Sequence, residues 1–136
     1  MSKDKLDHPK GKWSYAFSWQ RVRASFGHAW RGVRWLFRKE ANAHIHLVCM
    51  LLVLAAGLIF NIQKGEWIAI LLCIALVLSL EAVNSSIEQL SDQVSSEYTP
   101  KIRDTKDLAA GAVLIAAIVA LTIGLIIFVP YILQLL

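Results

Sequence analysis

The chain has 136 residues, of which 57% are hydrophobic, and its 14 basic and 10 acidic residues give a formal net charge of +4. Together with a mean hydropathy of +0.53, this composition excludes an ordinary soluble domain of the same size. The sequence therefore predicts an all-α integral membrane protein, with a polar N-terminal tail at 1–17 and a single membrane domain at 18–136.

The first predicted element is a basic amphipathic surface helix at about 18–40. Apolar residues recur there at intervals of three and four, and basic residues occupy the other faces. The apolar positions are Trp19, Val22, Phe26, Trp30, Val33 and Phe37. Such a helix suits the interface of an anionic leaflet. A nucleic-acid interface is disfavoured because the same helix leads directly into a membrane span.

Three apolar runs predict transmembrane helices at about 41–60, 66–95 and 106–133. Ten of the 14 Lys and Arg residues precede Glu40, so the positive-inside rule places the N-terminus and the second loop in the cytoplasm. We expect Pro100 to end helical structure within that loop. Small residues at four-residue steps, Ala112, Ala116 and Ala120, predict close helix packing in the third span.

Polar residues also crowd the start of the first span, where Glu40 is followed by Asn42, His44 and His46. Residues two positions apart project about 200° apart on a helix. A zinc site shared by the two histidines is therefore disfavoured, and contacts with headgroups are preferred. Glu40, at the membrane boundary, is a candidate metal-binding carboxylate.

A narrow polar stripe follows the second apolar run. On a helix, Glu81, Asn84, Glu88 and Asp92 lie at about 0°, −60°, −20° and +20°. Carboxylates at the edge of a hydrocarbon layer are costly and usually functional, although solvated acids on a helix entering water are the simpler alternative. Mg²⁺ commonly binds one or two carboxylates together with substrate phosphates, so the stripe is a candidate magnesium site.

Phosphoryl transfer needs a metal, a cation for the phosphates and a proton acceptor, and the cytoplasmic layer contains all three types of group. The sequence has no Walker A, glycine-rich or kinase HRD motif. The residues alone leave open a membrane enzyme or an ion-coupled transporter that uses Glu81 and Glu88. A membrane adaptor without enzymatic activity is a third alternative.

These motifs resemble those of the prokaryotic diacylglycerol kinase family, which includes undecaprenol kinases. The resemblance covers about residues 21–120 and depends on Glu40, EAVNSSIEQLSD at 81–92, SSEY at 95–98 and KDLAAGAVL at 106–114. It implies Mg²⁺- and ATP-dependent phosphorylation of a membrane lipid alcohol. It also implies a homotrimer with shared active sites in the bacterial cytoplasmic membrane.

The resemblance implies a role for each candidate site residue. Glu81 is the expected general base, Glu40 and Glu88 the expected Mg²⁺ ligands, and Asn84 and Asp92 their supports. The expected ATP-binding residues are Arg21, His28, Glu40, Glu88, Glu97, Tyr98, Lys106 and Asp107. Apart from the resemblance, the position of Asn42, His44 and His46 at the start of the first span predicts that they lie near the lipid, together with Glu81. The segment at 41–47 resembles undecaprenol kinases, which leaves the lipid open between undecaprenol and diacylglycerol.

Overall fold

The structure is a computed structural model that describes residues 18–94 and 99–135. The described residues form four α-helices, α1 (Trp19–Lys39), α2 (Ala41–Ile59), α3 (Lys64–Val94) and α4 (Pro100–Leu133). Each of α2, α3 and α4 is long and apolar enough to cross a membrane. The all-α architecture of one surface helix and three spans is confirmed, whereas the tail predicted at 1–17 lies outside the described residues.

Helix α1 presents an exposed aromatic face, because Trp19, Phe26 and Trp30 all have most of their surface accessible. Leu36, near its C-terminal end, is buried. An exposed aromatic face flanked by arginines is typical of a helix that lies in the membrane interface. The apolar helix face that the sequence periodicity predicts for this segment is therefore present on α1.

One non-helical residue separates α1 from α2. Glu40 has extended backbone angles, φ −96° and ψ 119°, and its N–H donates to the Leu36 carbonyl at 3.1 Å. The chain therefore changes direction at Glu40 itself. This places the Glu40 carboxylate at the corner between the surface helix and the first span.

The α2–α3 corner is closed by a Schellman motif. Asn61 adopts a left-handed conformation with φ 48°, which asparagine tolerates better than most residues. The Ile62 N–H donates to the Gly57 carbonyl at 3.2 Å and the Asn61 N–H to Leu58 at 3.3 Å, as this motif requires. The Ile62 side chain is buried, so the corner is anchored in the core.

Helix α4 begins earlier than the sequence predicts. Pro100 does not end a helix but occupies the first turn of α4, and the Thr99 Oγ1 accepts from the Ile102 N–H at 3.4 Å. Proline is well suited to this position, since its missing N–H would have no partner in the helix. The expected loop up to residue 105 is therefore partly helical.

Helix α4 packs mainly along α3, and α2 also contacts α3. The core at the α2–α3 corner is formed by Ile62, Ile70 and Ile127. Towards the other end of α4, Val113 and Ala116 are buried. Helix α3 is thus the central element, and its C-terminal half carries the polar stripe.

Candidate functional site

The polar stripe is deeply buried at its start and exposed at its end. Glu81, Asn84 and Ser85 are 2%, 4% and 2% exposed. Further along α3, Glu88 is half-buried and Asp92 is exposed. Ionisable groups are rarely buried in this way without a partner or a function. The buried start of the stripe is therefore the centre of the candidate site.

Three other ionisable side chains surround Glu81. His46 from α2, Glu40 from the α1–α2 corner and Glu88 from α3 all interact electrostatically with its carboxylate. The corner at Glu40 and the packing of α2 on α3 bring these residues together. The structure thus gathers Glu40, Glu81 and Glu88, which the sequence assigned to one site.

Asn84 orients one of these carboxylates but is itself incompletely bonded. Its Nδ2 donates to Glu88 Oε1 at 3.2 Å. Asn84 Oδ1 and the neighbouring Ser85 Oγ are buried and have no hydrogen-bond partner among the described residues. Buried polar atoms are nearly always paired, so these two atoms point to a ligand or water at this place.

Lys106 from α4 bonds to the end of the stripe. Its Nζ lies 2.7 Å from Asp92 Oδ1, and the two side chains are 27% and 68% exposed, respectively. Asp107, the next residue, is exposed. The pair places an ammonium group beside the candidate site, about one turn beyond Glu88.

The remaining predicted residues lie at the surface or outside the described residues. Arg21 and His28 are exposed on α1, where His28 contacts Arg31. Asn42 and His44 are exposed, whereas His46 is half-buried. Residues 97 and 98, the predicted Glu97 and Tyr98 contacts, lie outside the described residues. Asn42, His44 and His46 are the α2 residues predicted to lie near the lipid. Of these three described residues, only His46 interacts electrostatically with Glu81.

The donor set suits a metal that arrives with phosphates. Across 18–94 and 99–135, no three His, Cys, Asp or Glu side chains are arranged to hold a metal ion. Glu40 and Glu88 supply two carboxylates near Glu81, and Asn84 Oδ1 is an unpaired oxygen donor. Mg²⁺ typically takes one or two carboxylates from the protein and completes its octahedron with water and phosphates. These residues fit that pattern.

An apolar groove of about 530 Å³ lies between α2, α3 and α4. Its lining includes His46 and Cys49 from α2, Ile74 and Leu78 from α3, and Ala120 and Phe128 from α4. His46 both lines the groove and interacts with Glu81, so the groove and the candidate site share this residue. A hydrocarbon chain is the chemistry that such a lining accepts.

Ser85 is the site residue that the sequence analysis missed. Serine in a membrane helix usually bonds to its own backbone, so its type alone gave no functional signal. The sequence signal that could have identified Ser85 is its position four residues after Glu81, which places both residues on the same face of the helix.

Comparisons with known proteins show which family this chain belongs to. The profile of the family described as "Prokaryotic diacylglycerol kinase" matches residues 27–128, which include every candidate site residue except Arg21. The undecaprenol kinase of Bacillus subtilis is 38% identical over 106 residues, covering 78% of this chain and 86% of that protein. The diacylglycerol kinase of a Synechocystis species is 33% identical over 122 residues, covering 87% and 70%. That of Escherichia coli is 31% identical over 100 residues, covering 74% and 82%.

Proposed function

Because this chain belongs to the prokaryotic diacylglycerol kinase family and is therefore a lipid kinase, we propose that it transfers the γ-phosphoryl group of ATP to a membrane alcohol. The alcohol is diacylglycerol or undecaprenol, the substrates in its relatives' names. The observation that supports this most is the buried Glu81, grouped with Glu40, Glu88 and the groove residue His46.

Glu81 acts as the general base in this proposal. The lipid chain lies in the groove, and its hydroxyl reaches the Glu81 carboxylate. Glu81 takes the hydroxyl proton, and the lipid oxygen forms a bond to the γ-phosphorus. The bond between that phosphorus and the bridging oxygen breaks, and ADP leaves with the electron pair. A positioned base of this kind contributes about 10²- to 10⁴-fold to the rate.

Glu40 and Glu88 would hold Mg²⁺ together with the ATP phosphates, and Asn84 keeps Glu88 in place through its hydrogen bond. The ion would neutralise charge that develops on the transferred group. Lys106, paired with Asp92, meets a phosphate. The remaining proposed ATP contacts are Arg21, His28, Glu97, Tyr98 and Asp107.

The membrane arrangement follows from charge and burial. The excess of Lys and Arg before Glu40 supports a cytoplasmic N-terminus and active site in the bacterial inner membrane. The spans expose many large apolar side chains, among them Leu72, Ile115 and Ile126, and these suit lipid or neighbouring subunits. We propose a homotrimer in which adjacent subunits complete each active site.

The test is lipid-dependent ADP release by the purified protein in detergent with Mg-ATP. We expect turnover with a long-chain alcohol, and a loss of about 10²- to 10⁴-fold in Glu81→Gln without unfolding. Asp104→Asn is the control, since Asp104 is an exposed carboxylate on α4 without a proposed role in the site. Full activity in Glu81→Gln would remove Glu81 from the role of base. Ion flux into sealed vesicles without ATP consumption would instead support the transporter.

A further inference from the structure

We propose that Ser85 is a positioning residue for the lipid substrate. Its Oγ–H donates a hydrogen bond to the reacting lipid oxygen, while the proton of that oxygen points at Glu81. The assignment rests on the proposed function, because it concerns the same hydroxyl. Its starting observation is a fully buried hydroxyl without a hydrogen-bond partner among the described residues.

Four exposed hydroxyl residues in these helices bond to their own backbone, whereas the buried Ser85 does not. The side chains of Ser25, Ser86, Thr105 and Thr122 each donate to the carbonyl four residues earlier, at 2.8 to 2.9 Å. Ser85 makes no such bond, although it is far more buried than any of them. A helical serine usually donates to the carbonyl four residues earlier. Because Ser85 does not make this bond, its hydroxyl can donate to another partner.

The rotational position of Ser85 places it within the arc of α3 that lines the apolar groove. Taking Glu81 as 0°, Asn84 lies at about −60° and Ser85 at about +40°. Asn84 lines a small cavity between α3 and α4, so Ser85 lies on the flank of α3 turned away from α4. The α3 residues that line the groove are Cys73, Val77, Ile70, Ile74 and Leu78, and they span about −80° to +60°. Ser85 lies within this arc, about one turn beyond Glu81, so a lipid whose chain occupies the groove has its polar end on the face of α3 that carries Ser85.

The axial position of Ser85 matches the place where the two substrates meet. It lies about 6 Å beyond Glu81 and about 4.5 Å before Glu88 along the helix axis. The lipid approaches from the groove and the phosphate from the side of Glu88. The reacting oxygen and the γ-phosphorus must then meet near the level of Ser85. A donor already buried there needs little reorganisation when the lipid binds.

The test compares Ser85→Ala with Ser86→Ala, an exposed neighbour that bonds to its own backbone. For Ser85→Ala we expect kcat/KM for the lipid to fall about tenfold. This is the decrease expected when one hydrogen bond to the substrate is lost in a closed site. KM for ATP and the Mg²⁺ requirement should stay unchanged. Its thermal midpoint in detergent should be equal or higher, because an unpaired buried hydroxyl destabilises the free protein. Ser86→Ala should match the wild type.

Ser85→Thr retains the hydroxyl, and we expect it to keep more lipid activity than Ser85→Ala. Lipid activity of Ser85→Ala within twofold of the wild type would overturn the assignment while leaving the lipid kinase intact. So would equal losses towards ATP and lipid with a lower thermal midpoint, which indicate a structural role. Absence of lipid-dependent ADP release in the wild type would overturn the proposed function and this assignment together.

Discussion

The Nζ of Lys106 lies 2.7 Å from Asp92 Oδ1 and joins α4 to α3 beside the candidate site. Asp92 is 68% exposed, and ion pairs with an exposed partner contribute little to stability. The more important consequence is positional, because the pair holds an ammonium group near Glu88. A phosphate that binds there would compete with Asp92 for the same group.

We predict that Lys106→Met raises KM for ATP about tenfold or more and leaves KM for the lipid nearly unchanged. Asp92→Asn should lower the free energy of unfolding by less than about 1 kcal/mol, because the pair is partly exposed. Steady-state kinetics and thermal unfolding in detergent measure the two effects. Lys101→Met, an exposed lysine at the start of α4, is the control. An unchanged KM for ATP in Lys106→Met would exclude Lys106 as a phosphate ligand.

Asn84→Ala should raise the Mg²⁺ concentration needed for half-maximal activity several-fold, because the amide no longer orients Glu88. Glu88→Gln should raise it further, since a metal ligand itself is lost. If Asn84 acts through Glu88, the double variant should resemble Glu88→Gln alone. Additive effects of the two substitutions would show instead that Asn84 acts on another group.

Gly57→Ala should destabilise the α2–α3 corner. A Cβ at Gly57 would lie 2.8 Å from Trp67 Cη2 and 3.1 Å from Ile62 Cδ1. Overpacking of this kind costs about 1 to 3 kcal/mol. Gly65→Ala is the control, since nothing lies within 4 Å of its added Cβ and alanine favours helix. The thermal midpoint should fall in the first variant only, and equal midpoints would contradict the close contact.

Tyr131→Phe should lower the thermal midpoint in detergent and leave lipid kinase activity intact. The Tyr131 hydroxyl donates to Glu66 Oε2 at 2.8 Å, and the variant loses this bond between α4 and α3. The ring contacts with Phe60 remain in the variant. A double-mutant cycle with Glu66→Gln measures the coupling. A coupling near zero would mean that this bond contributes nothing to the folded state.

The lipid preference can be measured with diacylglycerol and undecaprenol in the same micelles. We expect both to exceed a short water-soluble alcohol by at least about 100-fold in kcat/KM, since each buried CH₂ is worth about 0.8 kcal/mol. If His46 bonds to ester oxygens, His46→Ala should reduce activity on diacylglycerol more than on undecaprenol. Comparable activity on the short alcohol would contradict access through the apolar groove.

Much of the architecture is determined by sequence patterns that act locally. Hydropathy determines α2, α3 and α4 because a span needs a long apolar run, and a period of 3.6 residues places Glu81 and Glu88 on one face. The same reasoning misplaced the start of α4. It treated Pro100 as the end of a helix, although the Thr99 cap allows proline in the first turn.

Only the tertiary structure decided which distant residues join the stripe. Glu40 and His46 reach Glu81 because the chain turns at one extended residue and α2 packs on α3. The same packing buries Ser85 and leaves its hydroxyl unpaired. Periodicity relates residues within one helix, but contacts between residues some forty positions apart depend on how several apolar faces pack together. The local pattern therefore determined the stripe, and helix packing determined the site.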